Sequence, residues 1–152
     1  MRHRIDKTLP FNRVPVDPCP AFPDRRETWL PLLFVSLTTT SGKEFSTNAL
    51  LDTGAGITLF GTNWADALGI DWRSCPTIPF IGIGAKNIGH VAKLNLRLPS
   101  VQYTWTADVA FSEAMNSIKF PLLGHIGFFD RFTVTFRPRA FKLFLAADED
   151  LR

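Results

Sequence analysis

The stretch Ala49-Leu50-Leu51-Asp52-Thr53-Gly54-Ala55-Gly56-Ile57-Thr58-Leu59-Phe60 sets one acidic side chain between two apolar runs. A carboxylate in such surroundings is costly to bury unless it is paired, hydrogen-bonded or put to use. Two readings account for Asp52. Either it accepts backbone N–H bonds in an Asx-type turn between two strands, or it is a reactive group. Hydrolysing an amide needs one group to take a proton from water and another to give one to the amide, so two carboxylates of unequal proton affinity can divide the work. Packed together, two carboxylates cannot both ionise easily, and the pair holds one shared proton over part of the acidic range. The 152 residues contain one Asp-Thr-Gly and leave no room for a duplicated lobe of similar size. On the second reading, the other carboxylate therefore comes from a second copy of the chain.

Other chemistry is weaker on spacing. Gly82, Gly84 and Gly89 follow Gly-x-Gly-x-x-x-x-Gly with no Lys-Ser/Thr after them, and the sequence beyond alternates as a strand, which does not suit a phosphate loop opening a helix. A β-hairpin turn is the plain alternative. His3, His90 and His125 stand at no metal-ligand spacing, and Cys19 and Cys75 are too few for a disulfide scaffold. Reduced thiols in a cytoplasmic protein are the default, and neither a metal nor a cofactor is expected. His125 has no nucleophile beside it in sequence, so it reads as a packing or interface residue. Asp108 and Asp130 read as solvated or paired, and Asp148-Glu149-Asp150 as part of a frayed acidic tail.

The elements that must position Asp52 are short strands. Leu30 to Thr38 and Glu44 to Leu51 read as a hairpin around Ser41-Gly42. Thr62 to Gly69 reads as a short helix capped by Thr62 or Asn63 and stopped by Gly69. Pro79 to Ile83 and Ile88 to Leu98 frame a Gly-Ala-Lys-Asn turn, and Val101 to Phe111 alternates as a further strand. Phe132 to Phe136 and Phe141 to Leu145 close around Arg137-Pro138-Arg139, with a short helix expected near Gly127 to Arg131.

Composition agrees with one folded all-β body. Hydrophobic residues make up 45% of the chain, and 14 Phe, four Trp and one Tyr can fill a core. Residues 1–27 hold five of the eleven prolines and read as an extended arm, a flexible leader or a strap docked through Phe11, Val14, Val16 and Phe22. They also hold six of the 17 basic and four of the 14 acidic residues, leaving 11 against 10 in the rest, without the basic face that nucleic acid requires. No long uncharged apolar run or signal-peptide stretch is evident, so neither membrane insertion nor export is expected.

The Asp52 segment resembles the active-site loop of the retropepsin-like aspartic proteases, in which apolar-apolar-Asp-Thr-Gly-Ala stands between similar flanks. Two more segments agree in order and spacing. Phe80-Ile81-Gly82-Ile83-Gly84-Ala85 looks like the family's flap hairpin, and Phe120-Pro121-Leu122-Leu123-Gly124 is similar to its apolar-apolar-Gly element. The resemblance runs from about Leu30 to Leu145. It implies an all-β, retropepsin-like closed β-barrel with a flap hairpin and one or two short helices, working as a homodimer. Residues 28–147 would form this domain, after a Pro-rich extension (1–27) and before an acidic tail (148–152).

The implied activity is that of an aspartic endopeptidase. Asp52 and Asp52 of the partner subunit would meet on a two-fold axis to activate water. Thr53 would anchor the loops across the dimer, Gly54 and Ala55 would complete the loop, and Gly54 would let substrate backbone approach. Ile81, Gly82, Ile83, Gly84 and Ala85 would fold over an extended peptide, and Leu122, Leu123 and Gly124 would form the second element. The family pattern has an acidic residue where Gly56 stands and Arg where His125 stands, a salt bridge that braces the dimer. Both halves are replaced here together, a departure similar to that of cellular, bacterial-type members, as is the long C-terminal hairpin. A protein of this fold that binds extended peptides or mediates assembly without cutting is the other reading.

Overall fold

Alternating and fully apolar runs become strands because β-branched and aromatic side chains pack well on a pleated surface buried on one or both faces. The computed structural model describes residues 6–82 and 85–148. In chain order it has β1 (Asp6–Pro10), β2 (Asn12–Pro15), β3 (Glu27–Leu30), β4 (Leu32–Thr38), β5 (Glu44–Leu51) and β6 (Leu59–Gly61). A helix, α1 (Thr62–Leu68), is followed by β7 (Thr77–Gly82), β8 (Ala85–Leu98) and β9 (Tyr103–Ser112). The last strands are β10 (Leu122–Leu123), β11 (Phe132–Arg137) and β12 (Lys142–Ala147). The fold is mostly β, and among the described residues α1 is the only α-helix, too short to cross a membrane.

Residues 33–131 form one compact unit. Its seven-stranded sheet has the order β4-β5-β10-β6-β9-β8-β7, and β4 pairs with β8 as well as with β5. Period-2 burial is clear in β8, where Leu94, Leu96 and Leu98 are buried between exposed Lys93, Asn95 and Arg97. β6 and the end of β9 are buried on both faces and pair in parallel, Leu59 with Ala110 and Phe60 with Phe111. Phe60 meets Trp64 edge-on at 5.6 Å and Phe111 at 6.5 Å. Each fully buried Phe of this kind contributes about 1.5–3 kcal/mol relative to exposure.

Residues 1–32 and 132–152 cluster as a second unit, described over 6–32 and 132–148. β1, β12 and β11 form an antiparallel sheet in that order, and β2 pairs with β3. Pro10 and Pro15 are the last residues of β1 and β2, both edge strands, where the missing N–H costs no ladder bond. The N-terminal arm is thus partly strand, with Phe11 and Val14 buried, Val16 half-buried and Phe22 exposed. Trp29 stacks on Phe141 at 4.8 Å.

Several local expectations shift. α1 begins after Gly61 with no side-chain cap of its own; Asn116 instead accepts the Asn63 N–H at 3.1 Å and donates to Thr62 Oγ1 at 2.9 Å. Gly69 does stop it, at φ 73°. Of the turn expected at Gly84 to Asn87, Ala85, Lys86 and Asn87 belong instead to β8, paired with Gly82, Ile81 and Phe80. β9 starts at Tyr103, after a 3-10 turn over Pro99–Val101 and Gln102 at φ 52°. No helix forms near Gly127 to Arg131. Gly127 takes φ 99°, outside helical space, and the chain closes instead with Phe129 and Asp130 N–H bonds to the Gly124 and His125 carbonyls.

Candidate active site

Strand order creates the site. β5 and β6 are consecutive in sequence, yet β10 lies between them, parallel to β5 (Leu122 opposite Leu50) and antiparallel to β6 (Leu122 opposite Leu59). The connection from β5 to β6, residues 52–58, therefore meets the chain that leaves β10 at residues 124–127. Asp52 N–H donates to the Leu123 carbonyl at 3.0 Å, His125 N–H to Ala55 at 2.9 Å and Ile126 N–H to Gly56 at 3.0 Å. Thr58 N–H returns a bond to Ile126 at 2.8 Å, and its buried Oγ1 accepts the Gly124 N–H at 3.2 Å. A Cβ on Gly124 would stand 2.5 Å from the Ile57 carbonyl oxygen and 2.7 Å from that of Ala55, so only glycine allows the two segments to approach this closely.

Asp52 follows the last residue of β5 and is half-buried; Thr53 and Gly54 are exposed, and Ala55 is buried. Asp52 Oδ1 accepts the Gly54 N–H at 2.8 Å, and the Asp52 carbonyl accepts the Ala55 N–H at 3.1 Å. The Asx-type turn is therefore present, and it holds the carboxylate at the loop surface, so this turn is compatible with a reactive role. The His125 ring reaches the same loop, with Nε2 2.8 Å from the Thr53 carbonyl oxygen. Gly56 is exposed and has open space where a side chain would be.

Asp52, Thr53, Gly54 and Ala55 are brought together with Leu122, Leu123 and Gly124 by these bonds. The β7–β8 hairpin is connected less directly. Its half-buried Ile78 and Phe80 pack against a cluster of Ile57, Leu59, Ala110 and Met115, and Ile57 belongs to the Asp52 loop. Gly82 shares the parity of Ile78 and Phe80, whereas Ile81 is on the other face and is 84% exposed. Ala85 begins β8, and Ile83 and Gly84 lie outside the described residues. Among the described residues, no group of three or more His, Cys, Asp or Glu could hold a metal ion.

Two contributors have no role legible in the sequence alone. Thr58 has an acceptor hydroxyl in an apolar run as its only signal, and Ile78 could be found from the period-2 alternation of β7, whereas Phe80 opens the segment already likened to a flap hairpin. His125, expected in a packing or interface role, does pack, with its ring 5.7 Å from that of Phe129, and its Nε2 also bonds to the Asp52 loop.

No protein-family model matches the sequence, and no curated protein matches it. Among solved structures, a retropepsin-like aspartic protease from Rickettsia conorii is similar over 88% of this chain and 98% of its own, with a TM-score of 0.53 and 12% sequence identity. The likeness is one of fold.

Proposed function

We propose that this protein is an aspartic-type endopeptidase whose site is completed by two copies of the chain, each supplying Asp52. The observation that carries the proposal is the placement of Asp52. A half-buried carboxylate stands at the end of β5, in a loop tied to the segment after β10, within a fold similar to that of a retropepsin-like aspartic protease. The pairing of β4 with both β5 and β8 supports reading the sheet as a closed barrel.

In this mechanism one Asp52 is ionised and takes a proton from a bound water, whose oxygen attacks the scissile carbonyl carbon. Asp52 of the partner subunit, protonated, donates to the carbonyl oxygen, giving a neutral tetrahedral diol. The first carboxyl then passes its proton to the amide nitrogen while a diol hydroxyl gives its proton to the partner's carboxylate, so the C–N bond breaks into amine and carboxylic acid and the pair again holds one proton. Gly54 N–H on Oδ1 orients the carboxylate and adds no proton of its own. The β7–β8 hairpin would close over an extended peptide, with Ile78 and Phe80 beside the Asp52 loop favouring apolar substrate side chains.

A mixed peptide library incubated with the protein between about pH 3 and 7, the range in which a carboxylate pair can share a proton, tests this reading. Wild type is expected to cut next to apolar residues, and Asp52→Asn to lower the rate by roughly 10²–10⁴-fold while peptide binding persists. Absence of cutting at every pH, by a preparation shown to be dimeric, would overturn it in favour of a peptide-binding protein of this fold.

A further inference from the structure

We propose that His125 is a positioning residue that fixes the orientation of the Thr53–Gly54 peptide group and, through it, the Asp52 carboxylate. Its effect on rate rests on the peptidase reading; its effect on loop geometry does not. The Thr53 carbonyl and the Gly54 N–H are the two ends of one amide plane. Among the described residues no peptide bond is cis, so these ends point in opposite directions. One end donates to Asp52 Oδ1 at 2.8 Å, and the other lies 2.8 Å from His125 Nε2. A carbonyl only accepts, so Nε2 carries the proton in this arrangement.

The amide would otherwise be easy to turn. Gly54 has no side chain to resist rotation about its N–Cα bond, and a flipped plane would aim the Thr53 oxygen, a second acceptor, towards the carboxylate. His125 opposes the flip by holding that oxygen, and a bond accepted at C=O strengthens the N–H at the far end as a donor. The ring can do this because its backbone is anchored. His125 N–H bonds to Ala55, its carbonyl accepts the Asp130 N–H at 2.9 Å, and Gly124 before it sits against the Ile57 and Ala55 carbonyls. His125 thus grips the loop twice, by main chain at Ala55 and by side chain at Thr53.

His125→Phe keeps a ring beside Phe129 and removes the donor, whereas His125→Gln restores an N–H donor without the ring. Amide exchange of Gly54, followed by NMR, reads the geometry, and kcat and KM on a cleaved peptide read the consequence. In His125→Phe, loss of one hydrogen bond should speed Gly54 exchange about tenfold. The same variant should lower kcat about tenfold with KM within about twofold, and Gln should recover most of both. Exchange of the Ala110 amide, which bonds to Thr58, should stay at the wild-type rate and show that the sheet is intact. Wild-type Gly54 exchange in His125→Phe, or a Gln variant no better than Phe, overturns the proposal. If wild type cuts no peptide, the peptidase reading falls by itself, and the exchange comparison still decides the role of His125.

Discussion

At the scale of residues, one of the bonds that brace the Asp52 loop is out of reach of solvent. Thr58 is wholly buried, and its hydroxyl accepts the Gly124 N–H, a backbone donor that is itself in a buried setting. Thr58→Val keeps the shape and removes the acceptor, leaving that donor unpaired. The expected cost is about 1–3 kcal/mol by urea denaturation. Thr58→Ser keeps the oxygen and loses one buried methyl, for about 1 kcal/mol. A Val variant as stable as the Ser variant would mean that Gly124 N–H finds another partner. Gly127 adds to the crowding here, since a Cβ on it would stand 2.9 Å from the Thr58 oxygen.

At the scale of elements, the shortest pieces matter most. β10 is two residues long, yet by pairing on both sides it separates β5 from β6 and brings the chain after Gly124 to Asp52. α1 has seven residues, well below the length at which a helix stands alone; buried Ala65 and Leu68 and the side chain of Asn116 sustain it. The β8–β9 connection turns through Gln102 in the left-handed region, at φ 52°, where a side chain carries a steric cost. Gln102→Gly removes that cost and adds some unfolded-state entropy, so a net gain of about 0.5–1 kcal/mol in unfolding free energy is expected from urea denaturation. A loss of stability would show that the Gln102 side chain makes interactions worth more than the strain.

At the scale of the whole molecule, the proposed chemistry needs two chains. If each site uses Asp52 from both subunits, mixing wild type with inactive Asp52→Asn at about a ninefold excess places most wild-type chains in mixed dimers. Peptide cleavage per wild-type chain should then fall several-fold after subunit exchange, and activity of wild type alone should drop faster than linearly on dilution below the dimer dissociation constant. Cleavage that ignores both the mutant excess and the dilution would place the complete site within one chain.

Patterns that depend on neighbouring residues were legible in the sequence. The strands follow from period-2 alternation and apolar runs, the end of α1 from Gly69, and the Asx-type turn at Asp52 from Asp-Thr-Gly, because each depends on dihedral preferences and bonds spanning a few positions. The local reading failed where a distant partner intervened. Asn116 caps α1 from 53 residues beyond Asn63, and His125 reaches Thr53 across 72 residues. Neither contact has a local signature, since each depends on which strands lie side by side. Local patterns thus specify a mostly β chain and place Asp52 in a tight turn at the end of a strand. Tertiary structure decides what braces the turn from outside, because only the insertion of β10 between β5 and β6 brings the Gly124 amide to the hydroxyl of Thr58 and the ring of His125 to the Thr53 carbonyl.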